Sequence, residues 1–114
     1  MFTMGTIFAI TNFVGYGVAV ADIIGADIPK IAEPSESVPT SRLVEMAMGE
    51  HACNVPADLV QFGLPLNKVT TAVSIKKDFF GEFILNTFKR YGIKIGVLEA
   101  PVSTSTDLII VVKV

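Results

Sequence analysis

Two places in this 114-residue chain combine residue types that could do chemistry: Asp22, at the end of an apolar run, and the stretch Gly49-Glu50-His51-Ala52-Cys53-Asn54. Asn54 suits a helix N-cap, because its side-chain oxygen can accept a free backbone N–H of the first turn. Pro56 fits that first turn, where its missing N–H costs nothing, and Gly63 can supply the left-handed C-terminal residue. Such a helix start gathers unpaired N–H groups and a partial positive charge, which suits it to polar or anionic ligands. Asp22 falls at the carboxyl end of an expected strand, where open α/β sheets bind ligands; taken alone it serves equally well as a turn or cap residue. His51 and Cys53 are too few for a metal centre, which needs three or four ligands. No catalytic residue and no metal ligand is assigned.

The elements that must position these groups follow from periodicity. Phe13 to Val20 is a continuous apolar run rich in β-branched residues and reads as a strand buried on both faces. Its Gly15-Tyr16-Gly17 lacks the third glycine of a dinucleotide fingerprint, since Val20 stands there, and that reading is rejected. Ile23 to Ile31 reads as a second, exposed strand, and the Pro- and Ser-rich 32–41 as turns. Arg42 to Ala47 is a strand leading into Gly49, and Ala57, Leu59, Val60 and Phe62 give the following helix its apolar side. Lys68 to Ile75 is another strand. Asp78 then caps a helix of about 13 residues with Phe79, Phe83, Ile84, Thr87, Phe88 and Tyr91 at helical spacing, a core stripe closed by Gly92. Lys94 to Leu98 and Asp107 to Val114 read as two further strands.

Composition narrows the class. A net charge of −2 with dispersed basic residues argues against a nucleic-acid partner. Hydrophobic residues make up 51% and the mean hydropathy is +0.59, yet the apolar run Ile7 to Ile28 carries Asn12, Asp22 and Asp27 and no preceding basic residue. It therefore reads as strands rather than a membrane span or secretory signal. The single Cys53 fits a reducing, cytoplasmic compartment.

Three motifs in register resemble the ribokinase-like (PfkB) carbohydrate kinase family. Gly17 and Asp22 resemble its first strand with a sugar-binding aspartate. Gly49 through Asn54 and the helix to Gly63 resemble its Gly-Gly signature, and Asp78-Phe79-Phe80-Gly81 its D-x-F-G segment. The resemblance implies a truncated ribokinase-like α/β fold. It has two core parallel strands with two helices (about 6–22 and 49–92) plus a four-stranded lid sheet (about 23–48 and 93–114). It implies a substrate site of Asp22, Gly49, Glu50, His51 and Asn54, a sugar or nucleoside substrate, and homodimers through the lid strands.

An intact family member would use ATP and Mg²⁺ to phosphorylate a sugar hydroxyl. The sequence departs from the pattern at Glu50, where the second glycine is expected, at Pro56, and at Val73 and Lys76, where glycines precede the D-x-F-G segment. It also lacks the D-T-x-G-A-G-D segment that carries the catalytic base and anion hole. The expectation is a sugar-binding N-terminal part, inactive alone. The alternatives are a non-catalytic lid-mediated dimerisation or sugar-binding module, and a truncated gene product.

Overall fold

A computed structural model describes residues 12–113. The order is β1 (Phe13–Val18), β2 (Val20–Ile28), β3 (Glu45–Gly49), α1 (His51–Gln61), β4 (Val69–Ile75), α2 (Phe79–Tyr91), β5 (Lys94–Glu99) and β6 (Ser105–Val112), with a 3-10 turn at Leu66–Lys68 before β4. The strands divide into two sheets. One is all parallel in the order β1-β4-β5; the other runs β3-β2-β6, with β2 antiparallel to β3 and parallel to β6. The radius of gyration is 17.5 Å, against about 13 Å for a compact chain of this length. The molecule is therefore two sheets side by side rather than one ball.

This corrects the expected partition of two core strands and four lid strands. The strand after α2 does not join the lid. It returns parallel to β4, pairing Thr71 with Ile95 and Val73 with Val97. The 13-residue α2 is the crossover that a parallel pair requires. Core and lid thus hold three strands each, with the lid built from 20–28, 45–49 and 105–112. The expected core segment from 6 and the apolar run from Ile7 begin outside the described residues.

The first strand is also shorter and less buried than its sequence suggests. It ends at Val18, and a single fully buried residue, Ala19, separates it from β2. The helices cover one face of the core sheet, where Val69, Thr71, Val73 and Ile75 of β4 are buried. On the opposite face Val14 and Tyr16 are each 77% exposed. The sequence run is apolar on both sides, but only one side has a partner among the described residues.

α2 forms as its sequence dictates. The Asp78 carboxylate accepts the Gly81 N–H at 2.8 Å from one oxygen and the Thr104 N–H at 2.9 Å from the other. That second bond ties the loop before β6 to the helix start. Thr104 Oγ1 adds to the clasp by accepting the Lys76 N–H at 2.9 Å. Gly81 lies so close to the preceding loop that a Cβ there would sit 1.9 Å from the Lys76 carbonyl oxygen. Ile84 and Phe88 are buried, worth about 1.5–3 kcal/mol each in transfer energy. Phe80, Phe83 and Tyr91 pack beside them. Phe79 is the exception to the expected stripe: it is 71% exposed and meets only the edge of Phe80. Gly92 closes the helix at φ 75°, a left-handed conformation that favours glycine.

α1 departs from expectation at its start. It begins at His51, so Asn54 lies inside the helix instead of capping it, and the N-cap is Glu50 with no side-chain cap bond. Pro56 is consequently interior. It has no N–H to offer the Ala52 carbonyl four residues back, an arrangement that ordinarily weakens a helix. Thr71 of β4 repairs the defect: its buried hydroxyl donates to that carbonyl at 2.9 Å. The end of α1 is as expected, with Gly63 at φ 107° and the Leu64 N–H returning to the Leu59 carbonyl at 2.9 Å.

Candidate functional site

Asp22 does not stand at the end of a core strand. It is the third residue of β2, at the centre of the lid sheet, opposite Ala47 of β3 and in register with Asp107 of β6. Its side chain reaches toward the end of β3. A Cβ built on Gly49 would lie 2.7 Å from Asp22 Oδ2, so any side chain at Gly49 would displace the carboxylate. Burial pushes the Asp22 carboxyl above its ordinary range, and the neighbouring charges of Asp107 and Glu50 push it further.

Glu50 occupies the junction of β3 and α1 with φ 72° and ψ 161°. That combination lies in a backbone region open essentially to glycine alone. The chain keeps the glycine backbone that the resemblance leads one to expect at this position, with a glutamate built on it. Cys53, one turn into α1, is wholly buried, and its thiol is pushed up to about 12, chiefly by burial; a hydrogen bond with the Val20 backbone works the other way. A thiol held that high is not a nucleophile at neutral pH.

The five expected site residues are only partly gathered. Asp22, Gly49 and Glu50 meet where the lid joins α1. His51 faces a different cleft, of about 410 Å³, shared with Phe13, Gly15 and Tyr16 of β1. Asn54 lines a third concavity, of about 230 Å³, between β3, α1 and α2. Asp22 lines neither. Asp107 was missed as a neighbour of the site. No local signal in Ser105-Thr106-Asp107 marks it, because its proximity to Asp22 is created by parallel pairing of strands far apart in sequence.

Neither α1 nor α2 offers an open N-terminus to a nucleotide phosphate. The N-terminus of α1 carries Glu50, and that of α2 is filled by the Asp78 carboxylate. Both helix starts that could cradle an anion therefore present negative charge instead. No group of three or more His, Cys, Asp or Glu among the described residues is placed to hold a metal ion. No described helix is long and apolar enough to cross a membrane.

A parallel sheet covered on one face by two helices and joined to a second three-stranded sheet that carries an aspartate at its root defines a piece of the ribokinase-like (PfkB) sugar kinase fold. Several solved sugar kinases share it. A carbohydrate kinase from Agrobacterium tumefaciens superposes with a TM-score of 0.67 at 20% identity, covering 90% of this chain and 32% of that one. Ribokinase from Thermotoga maritima gives 0.66 at 16% identity, with 90% and 33% covered. Fructokinase with bound ATP from Xylella fastidiosa gives 0.64 at 16% identity, with 88% and 29% covered. The chain thus spans about a third of the length of the kinases it resembles. At these identities the likeness establishes the fold. No protein-family model matches the sequence, and no curated protein matches it.

Proposed function

We propose that these 114 residues are the sugar-binding part of an ATP-dependent carbohydrate kinase, a phosphotransferase that acts on a sugar hydroxyl. The observation that carries this reading is the Asp22 carboxylate set against Gly49, where the 2.7 Å approach leaves no room for a side chain. A carboxylate accepts hydrogen bonds from two adjacent sugar hydroxyls, and a glycine beside it lets a ligand approach the backbone closely. Gly49 and Glu50 complete the proposed site, and His51 and Asn54, which face other clefts, are left out of it. ATP and Mg²⁺ are assigned to no residue here, so the 114 residues alone are expected to bind a sugar without phosphorylating it.

Titration calorimetry with ribose, fructose and a nucleoside tests the binding, and a coupled ADP-release assay tests the chemistry. The proposal expects heat with at least one sugar, lost in Asp22→Asn, and no ADP release. Binding that survives Asp22→Asn would remove Asp22 from the site, and sugar-dependent ADP release would show that transfer chemistry resides in this chain.

A second reading, a non-catalytic module that dimerises through its lid, is favoured by β6. This edge strand leaves Leu108 and Ile110 on one side of the lid and Ile109 and Val111 on the other, all exposed. An apolar edge strand is a template for pairing with a second copy. Sedimentation distinguishes the two: a dimer that Ile110→Lys dissociates supports the lid reading.

A further inference from the structure

The concavity lined by Asn54 has features that the sugar reading does not use. Its floor is apolar, formed by Met46 and Met48 of β3 and Phe83 of α2. Its rim carries two opposite charges, Asp58 of α1 and Arg90 of α2. Among the described residues neither has a charged partner: every ion pair lies elsewhere in the molecule, and the two do not approach each other within ion-pair distance. Among the described residues, the one hydrogen bond of the Arg90 guanidinium is to Thr87 Oγ1, at 3.3 Å. Thr87 is itself fixed, since its hydroxyl donates to the Phe83 carbonyl at 2.8 Å. Arg90 thus borders the cleft with most of its five donors free among the described residues. The Tyr91 hydroxyl accepts from Gln61 Nε2 at 3.1 Å and links α2 to α1 at the same cleft.

A narrow site with one free guanidinium, one free carboxylate and an apolar floor has a definite chemical complement. The guanidinium fork matches a carboxylate with two parallel hydrogen bonds, the aspartate takes an ammonium, and the floor takes a short apolar side chain. At about 230 Å³ the cleft falls below the range of drug-sized pockets, roughly 300–1,000 Å³, so the ligand must be small. The geometry points to a site for a small apolar α-amino acid in its zwitterionic form, with its carboxylate on Arg90, its ammonium on Asp58 and the Asn54 amide beside them. This site is independent of the sugar reading and does not include Asp22.

The test is equilibrium dialysis of the full chain with labelled L-leucine, N-acetyl-leucine and leucinamide, the last two lacking the ammonium and the carboxylate respectively. Each deletion removes charge-assisted hydrogen bonds, and each analogue is expected to bind about tenfold or more below leucine. Asp58→Asn should abolish the preference for leucine over N-acetyl-leucine while keeping the preference over leucinamide. Arg90→Gln should do the reverse. Both residues are exposed, and thermal unfolding of each variant checks that the fold is unchanged. Leucine binding no better than its two analogues overturns the proposal. So does undetectable leucine binding in a folded chain, or discrimination that persists in both variants. Loss of leucine binding in Asp22→Asn would place the ligand elsewhere and overturn it as well.

Discussion

Replacing Glu50 with glycine should stabilise this protein, although glycine is usually a destabilising substitution. The backbone at Glu50 has φ 72° and ψ 161°, a region whose occupation by a non-glycine residue costs about 1–3 kcal/mol. Glycine removes that strain. It also frees the unfolded chain, which works against folding by about 0.4–1 kcal/mol. The remainder is a gain centred near 1 kcal/mol, or a rise in Tm of about 4 °C for a domain of this size. The side chain makes no cap bond that would be lost, and the favourable interaction of its carboxylate with the helix N-terminus is offset by its repulsion of Asp22.

The assay is urea and thermal unfolding of Glu50→Gly beside Glu50→Ala. Alanine removes the carboxylate but keeps the Cβ that makes the conformation costly. If strain is the cause, glycine gains and alanine does not. Equal gains for the two would show that repulsion from Asp22, not the backbone, limits stability. A loss of stability for glycine would refute the reasoning altogether.

Thr71→Val should lower stability by about 1–3 kcal/mol in urea unfolding, because it removes the hydroxyl that serves the Ala52 carbonyl in place of the N–H that Pro56 lacks. Gly81→Ala forces a methyl to within 1.9 Å of the Lys76 carbonyl oxygen; a shift of the α2 start should cost about 1–3 kcal/mol and be read in the same experiment. Two aspartates should give opposite pH signatures. The Asp78 carboxyl is held below its ordinary range, chiefly by the Thr104 and Gly81 N–H groups, so it stabilises the fold above the unfolded pKa and loses that effect as pH falls through the folded value. Unfolding between pH 2 and 6 should therefore show a slope that Asp78→Asn reduces. Asp22 is raised by burial and its acidic neighbours, so its ionisation opposes folding as pH rises through the folded value. Asp22→Asn should stabilise the protein at pH 7, and that advantage should fade toward pH 3.

What could be read from the sequence followed how local its cause was. The Asp78 cap, the Gly92 and Gly63 stops and the Ile84/Phe88 stripe each depend on residues within a turn or two, and each appears where the spacing puts it. The allocation of strands to sheets did not. Lys94–Glu99 and Ser105–Val112 are both short apolar runs, and only the parallel pairing with β4, reached through the α2 crossover, places the first in the core. The misplaced start of α1 has a similar origin. Asn54 and Pro56 together look like a cap and a first-turn proline, but the helix begins earlier because Thr71, distant in sequence, satisfies the carbonyl that Pro56 abandons. Within the site, Asp22 and Gly49 could be singled out from their types. Asp107 could not, because nothing in its neighbours specifies the register of β6 against β2.

The way the two sheets are joined limits how they can move. The chain passes between them at Ala19, at Glu50 and through the loop ending at Thr104. Ala19 is fully buried, and Thr104 is clasped by Asp78 and Lys76. A lid hung on three crossings, two of them anchored, cannot swing like a door on one flexible strap. Its opening is confined to rocking about the line of those crossings, small at the root where Asp22 sits and largest at the far ends of β2 and β6. A spectroscopic probe near Ile28, paired with one on the core, would thus report large distance changes, while one beside Gly49 paired with the same core position would stay nearly still.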